Sequence, residues 1–281
     1  MRSLISAVLR RYPFYGGYDQ IALSKPLALF AHFENYGIAR LRGGESILVP
    51  SKDHVGRTLL FMGDLEPRIS HFARNFLRPG DCVLDIGANV GWFSILASSA
   101  VGPSGFVHAF EPQPGIAALF RASLAMNAIA NVTVHEVALS DSSGTADFHV
   151  LAGNFGAGRL ADAAGDKWST IRVKTVEAGA YLSSLRLPHV RLVKIDVEGH
   201  EETVFGNARA FFEQNRPDAI IFESFGDEPL LDRPVTKLLS SLGYRLLSFE
   251  RSLRRARLLP VHEGEIVASI DHVAVREGVA I

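Results

Sequence analysis

The stretch "DCVLDIGANVGWFSILASSA", Asp81 to Ala100, decides the fold. Its apolar run, Cys82 to Ile86, has the pattern of a buried strand; Gly87, Asn89 and Gly91 break that run, and a helical pattern begins at Trp92. A glycine-bearing loop between strand and helix lets the backbone approach a ligand closely, while the helix start offers unpaired N–H groups. The glycines do not follow G-x-G-x-x-G, so a pyrophosphate-binding turn is disfavoured. The next strand pattern, "FVHAF", ends at Glu111, 24 residues after Gly87. An acid at that place accepts ribose hydroxyl hydrogen bonds in nucleotide folds generally. Asp85 ends the first strand under the loop, where it can hold backbone amides or a cationic group of a ligand. A glycine loop with a spaced acid and no phosphate clamp suits S-adenosyl-L-methionine, whose sulfonium and amino acid portion replace the pyrophosphate.

Outward from this stretch, short apolar runs alternate with helical patterns: "PGIAALFRASLAMNAI" carries Ile116, Leu119, Phe120 and Leu124 on one face and is followed by "VTVHEVAL". That alternation predicts a parallel sheet covered by helices on both faces. Ser140 to Thr175 reads as an antiparallel excursion of two strands around a mobile loop, Gly153 to Gly165, expected to close over bound ligands. The alternation resumes with "VRLVKID", a helix over Glu201 to Phe212, "DAIIFES", a helix near Val235 to Leu242, "YRLLSFE", and a last strand within "EIVASIDHVAVRE". Before Cys82, "ESILVP" and "RTLLFM" read as strands and "LEPRISHFARNFL" as a helix. The basic run "RSLRRAR", Arg251 to Arg257, reads as a solvated edge strand.

With 281 residues and 47% hydrophobic content, the chain can build a substantial core. Its formal net charge of −1 disfavours a protein that holds nucleic acid through a basic surface. Cys82 is the single cysteine, which excludes an intramolecular disulfide and a cysteine-built zinc site. The apolar run Leu4 to Leu9 is too short for a signal peptide, and none approaches the roughly 20 apolar residues of a membrane span. The expectation is a cytoplasmic protein without nucleic-acid partners.

The segments "VLDIGANVGWFS", "AFEPQP", "ALSDSSGTADF", "VKIDVEGHEETVF" and "IIFES" together resemble the FkbM-type methyltransferases, which use S-adenosylmethionine. The first segment marks class I methyltransferases in general, and "KIDVEGHE" joined to it is the specific signal. The resemblance covers about Glu66 to Phe249. It implies an α/β fold: a doubly wound, Rossmann-like class I methyltransferase sheet, mostly parallel, with an N-terminal flank and an antiparallel C-terminal edge. The implied organisation is a flank or lid over 1–65 and a methyltransferase domain over 66–281. The implied activity is methyl transfer to a hydroxyl of a sugar, glycan or secondary metabolite, with Asp85, Gly87, Asn89 and Gly91 at the methionine portion of the donor, Glu111 at the ribose, and Val137 within the segment bordering the adenine. Asp196, Glu198 and Glu223 end neighbouring strands, where ligands of open α/β sheets lie. Clustered carboxylates there act as a base or hold a divalent cation. His200 is a further candidate base. Glu201 and Glu202 have the composition of a helix cap. Three alternatives remain: a methyltransferase-like binding module without turnover, a nicotinamide-dependent oxidoreductase, and a nucleic-acid methyltransferase, the last weakened by charge and by the absence of an Asn-Pro-Pro motif. The identity of the acceptor and the oligomeric state stay open.

Overall fold

The computed structural model describes residues 2–31, 35–160 and 165–281. The chain enters through helices Arg2–Leu9, Tyr18–Ala22 and Lys25–Ala31, then a hairpin of β1 (Tyr36–Arg40) and β2 (Ser46–Pro50). "RTLLFM", expected as a strand, lies instead in a helix, His54–Met62. A short apolar run cannot by itself separate a strand from a buried helix. Here the ends decide it: the Asp53 side chain accepts the Gly56 N–H at 3.2 Å, and Gly63 closes the helix in left-handed backbone. Ala39, Ile47, Val49 and Leu59 enter the same core as the main sheet, so the flank is packed into the body of the protein.

The main sheet begins with β3 (Cys82–Ile86), β4 (Phe106–Phe110) and β5 (Val132–His135). The run "VTVHEVAL" then breaks at Glu136, and β6 (Ala138–Ser140) leaves for a second sheet with β7 (Gly144–Leu151), β8 (Asn154–Arg159) and β9 (Trp168–Glu177), in the order β6-β9-β7-β8. The expected loop from Gly153 is thereby corrected: Asn154–Arg159 is a strand paired with β7, and residues 161–164 lie outside the described residues. The chain returns through helix Ala178–Ser184 to β10 (Val190–Ile195), β11 (Ala219–Glu223), β12 (Tyr244–Phe249), β13 (Leu258–Pro260) and β14 (Asp271–Arg276). The order is β13-β12-β14-β11-β10-β3-β4-β5, parallel except where β14 and β13 run antiparallel to their neighbours. This is the doubly wound α/β sheet expected, with one refinement: the last strand inserts between β11 and β12. The basic run 251–257 is irregular, and the sheet edge is β13.

Alternation along the central strand feeds two cores. Val83 points into one and Cys82, Leu84 and Ile86 into the other, all essentially inaccessible. Each fully buried Leu, Ile or Phe contributes about 1.5–3 kcal/mol. Helix Pro114–Met126 buries Ile116, Phe120 and Leu124 as its periodicity predicts. The expected helix from Glu201 divides at Ala208 into Glu201–Asn207 and Arg209–Asn215. Among the described residues no helix is long and apolar enough to cross a membrane.

Candidate active site

Strand register builds the site. Ile86 pairs with Phe110 and with Ile195, and Ile195 pairs with Phe222, so four strands reach one row together. The next residue of each is Gly87, Glu111, Asp196 and Glu223, which places these four along one rim at the carboxyl ends of the strands. Asp271 joins them because β14 runs the other way and pairs its first residue with Glu223.

The loop after β3 is tied to its neighbour by two backbone bonds, from the Gly87 and Ala88 N–H groups to the Phe110 carbonyl, at 3.0 and 2.9 Å. Gly87 has φ of +84°, and a Cβ there would overlap the Asp196 carbonyl oxygen. The glycine therefore admits a neighbouring strand end, a tighter constraint than the close approach of a ligand that its sequence suggests. Gly91 starts helix Trp92–Val101, and a Cβ there would overlap the Phe120 ring; it is a packing residue that does not line the cleft. Asn89 adopts left-handed backbone, and its N–H donates to Glu111 Oε2 at 2.9 Å. Glu111 Oε1 accepts the Gln113 N–H at 2.8 Å. Each oxygen keeps a further lone pair. Burial pushes the Glu111 carboxyl up to about 7, against these N–H groups, which lower it.

A cleft runs along the rim. Gly87, Asn89, Phe110, Glu111, Gln113 and Val137 line one half, roofed from the second sheet by Phe148, Gly156, Gly158 and Leu160. Asp196 and Glu198 border both halves; the second adds Asp19, His54, Glu66, Asp85, Trp92, Lys194 and Glu223. Asp85 is fully buried, its Oδ2 accepts the Ser94 hydroxyl at 2.6 Å, and its Oδ1 has no hydrogen-bond partner. Asp85 is thus a wall of the cleft, with an unpaired oxygen suited to a cationic ligand group. Glu136 is turned away, paired with Arg121.

The acids gather more densely than the sequence implies. Carboxylate oxygens of Glu66, Asp196 and Glu223 lie within 4.8 Å of one another. The Lys194 ammonium donates to Asp196 Oδ2 at 2.8 Å. Burial, with Asp196, Asp271 and Glu66 as negative neighbours, raises the Glu223 carboxyl far above the usual range. Glu66 is raised by burial in the same way. Glu198, in left-handed backbone with φ of 54°, is raised to about 7 by burial and by Asp196 and Glu201. His200 meets the Ser140 hydroxyl at 3.0 Å, and burial lowers its ring. Glu201 Oε1 accepts the Val197 N–H at 2.9 Å, which ties the first turn of the helix to the loop before it. His54 and Asp19 form a further pair at 3.0 Å on the cleft wall.

The methyltransferase FkbM domain model matches residues 85–246, which run from the end of β3 through β11 and include the entire glycine loop. The chain belongs to the FkbM methyltransferase family. The FkbM protein of Streptomyces tacrolimicus, described as 31-O-demethyl-FK506 methyltransferase, is 44% identical over 68 residues, 24% of this chain and 25% of that protein; the match thus spans a quarter of the curated relative's length. Among solved structures, precorrin-6y C5,15-methyltransferase of Geobacter metallireducens is 15% identical, with 76% of this chain and 90% of that one covered and a TM-score of 0.44. An S-adenosylmethionine-dependent O-methyltransferase of Thermotoga maritima is 17% identical, with 85% and 77% covered and a TM-score of 0.44. An rRNA methylase of Streptococcus thermophilus is 11% identical, with 73% and 91% covered and a TM-score of 0.39.

Within this FkbM-family site, the residues that sequence reasoning missed are Glu66, Lys194, Asp271 and the Asp19–His54 pair. Lys194 alone carried a signal: a charge in the middle of "VRLVKID", a fully buried strand pattern, requires a partner.

Proposed function

We propose that this FkbM-family protein transfers a methyl group from S-adenosyl-L-methionine to a hydroxyl oxygen of a sugar, glycan or other secondary metabolite. The observation that carries the reading is Glu111, held at the end of β4 by two backbone N–H groups with lone pairs to spare, in a cleft continuous with the carboxylates of Asp196 and Glu198. Glu111 would take the ribose hydroxyls, the apolar pocket of Phe110, Val137 and Leu139 the adenine, and the unpaired Asp85 oxygen would favour the cationic amino acid portion. The relative from Streptomyces, named for an O-demethyl acceptor, supports an oxygen as the acceptor atom.

When bound, the donor supplies a methyl group already activated by its sulfonium. The protein's tasks are to align the acceptor oxygen and to manage its proton. An alcohol holds that proton at neutral pH, so a base must take it as the oxygen attacks. Asp196 is the residue for this role: it stands on the rim beside the donor half, and Lys194 keeps a positive charge against it. Glu198 and Glu223 flank it. Burial and the negative neighbours Asp196, Asp271 and Glu66 raise the Glu223 carboxyl beside it. A divalent cation fits the three carboxylates by donor type, but Lys194 donates to Asp196 of the same group and its charge opposes a second cation there.

Calorimetric titration with S-adenosylmethionine, S-adenosylhomocysteine, NAD and NADP tests the donor. Binding of NAD and not of the sulfonium compound would overturn the reading. Incubation with labelled donor and glycan or metabolite extracts, followed by mass spectrometry, identifies the acceptor; labelled nucleic acid as the only product would replace the hydroxyl assignment.

A further inference from the structure

Lys194 is 5% exposed, in a strand whose Leu192, Val193 and Ile195 are inaccessible. A lysine rarely reaches such burial unless it is paired. Register sets it beside Asp85 of β3, and its ammonium reaches Asp196 Oδ2 at 2.8 Å. Its charge also acts on Glu66, Glu223 and Asp271. One ammonium, hydrogen-bonded to Asp196, thus stands among five carboxyl groups that come from the ends of four strands and the start of helix Pro67–Phe76.

Three carboxylate oxygens within 4.8 Å of one another are the donor set of a hard divalent cation, and like charges so close require a positive partner or protons. The chain supplies the positive partner covalently. We propose that the Lys194 ammonium, paired with Asp196, is the balancing cation of the Glu66, Asp196 and Glu223 cluster: it orients Asp196 and its charge keeps a divalent ion out of the group. Lys194 is then a positioning residue, acting on the acceptor through Asp196. The inference rests on the reading of Asp196 as the base only for its consequence in turnover; the cation assignment stands on the cluster alone.

Manganese titration followed by electron paramagnetic resonance tests it without an acceptor. The wild-type chain is expected to leave added Mn²⁺ free. Lys194→Met, which keeps the stem and removes the charge, is expected to gain one Mn²⁺ site, roughly tenfold or more tighter than any wild-type binding, and Glu223→Gln in that background to abolish it. Lys194→Arg should exclude manganese as the wild type does. A wild-type site that Glu223→Gln removes would overturn the proposal, as would a folded Lys194→Met that binds no manganese. Should Lys194→Met fail to fold, Lys194→Gln carries the same expectation and the same refutation. Full methyl transfer by Asp196→Asn, with the manganese results as expected, would refute the base role and leave the cation assignment in place.

Discussion

Lowering the pH should weaken donor binding through Glu111. Its carboxyl titrates near 7 because burial disfavours the charge, and ribose hydroxyls donate best to the charged form. Binding therefore favours the deprotonated fraction, and in the limit where that form alone binds the apparent Kd is multiplied by about 1 + 10^(7 − pH). The factor is about 11 at pH 6, about 2 at pH 7 and about 1.1 at pH 8, a tenfold span worth about 1.4 kcal/mol. Calorimetric titration of S-adenosylhomocysteine at these three pH values, in two buffers of different ionisation enthalpy, reads both the affinity and the proton released. Glu111→Gln should bind more weakly at pH 8 and lose the pH dependence. Glu198 also titrates near 7 in the same cleft, so Glu198→Gln is the control and should keep it. A flat profile in the wild type, or one abolished by Glu198→Gln instead, would refute the ribose assignment. The same raised carboxyl has a converse effect on the free protein. Its stability contribution is present below the unfolded value near 4.5 and is lost as pH rises through about 7.

Other expectations follow from the same geometry. Asp196→Asn should lower turnover by roughly 10²-fold with donor affinity little changed; equal turnover would remove it as the base. Gly87→Ala should destabilise the fold by on the order of 2 kcal/mol or more, since its Cβ meets the Asp196 carbonyl in left-handed backbone, and an unchanged urea midpoint would refute that. Donor binding should slow amide exchange over 154–160, because Gly156, Gly158 and Leu160 roof the donor half; equal exchange with and without donor would detach β8 from the site. Asp218→Ala should cost on the order of 3 kcal/mol by stranding Arg191 and Arg276 at the amino ends of the strands, which thermal unfolding measures.

The parts of this site legible in the sequence were those that local pattern controls. The strand, glycine loop and helix from Cys82 to Val101, the acid after β4, and the carboxylates after β10 and β11 all stand on the expected rim, since strand ends in a parallel sheet share one side. What escaped was set by packing over long separations. Glu66 precedes a helix and has the look of a surface cap; only the packing of that helix into the core of the main sheet brings it to Asp196. Asp271 enters because an antiparallel strand presents its first residue where its parallel neighbours present their last. A sequence shows a missing side chain but not what fills its place: a Cβ would meet the Asp196 carbonyl at Gly87, which still lines the cleft, and the Phe120 ring at Gly91. Strand β8 was hidden by composition, because "NFGAGR" is rich in residues that favour loops, and pairing with β7 overrides that preference.

The insertion of β14 between β11 and β12 imposes an order on synthesis. Both neighbours are synthesised before residues 271–276, and until those residues pair each presents an open row of backbone donors and acceptors toward the gap. Until the last strand arrives, the nascent chain carries two adhesive edges and a sheet split into halves, the kind of species that aggregates or recruits chaperones. Because Asp271 heads that strand, the acid pocket is also incomplete until then. A chain without residues 271–276 would hold every residue from the glycine loop to Glu223 and still lack a continuous sheet, so the acid cluster is assembled only when β14 seats between β11 and β12.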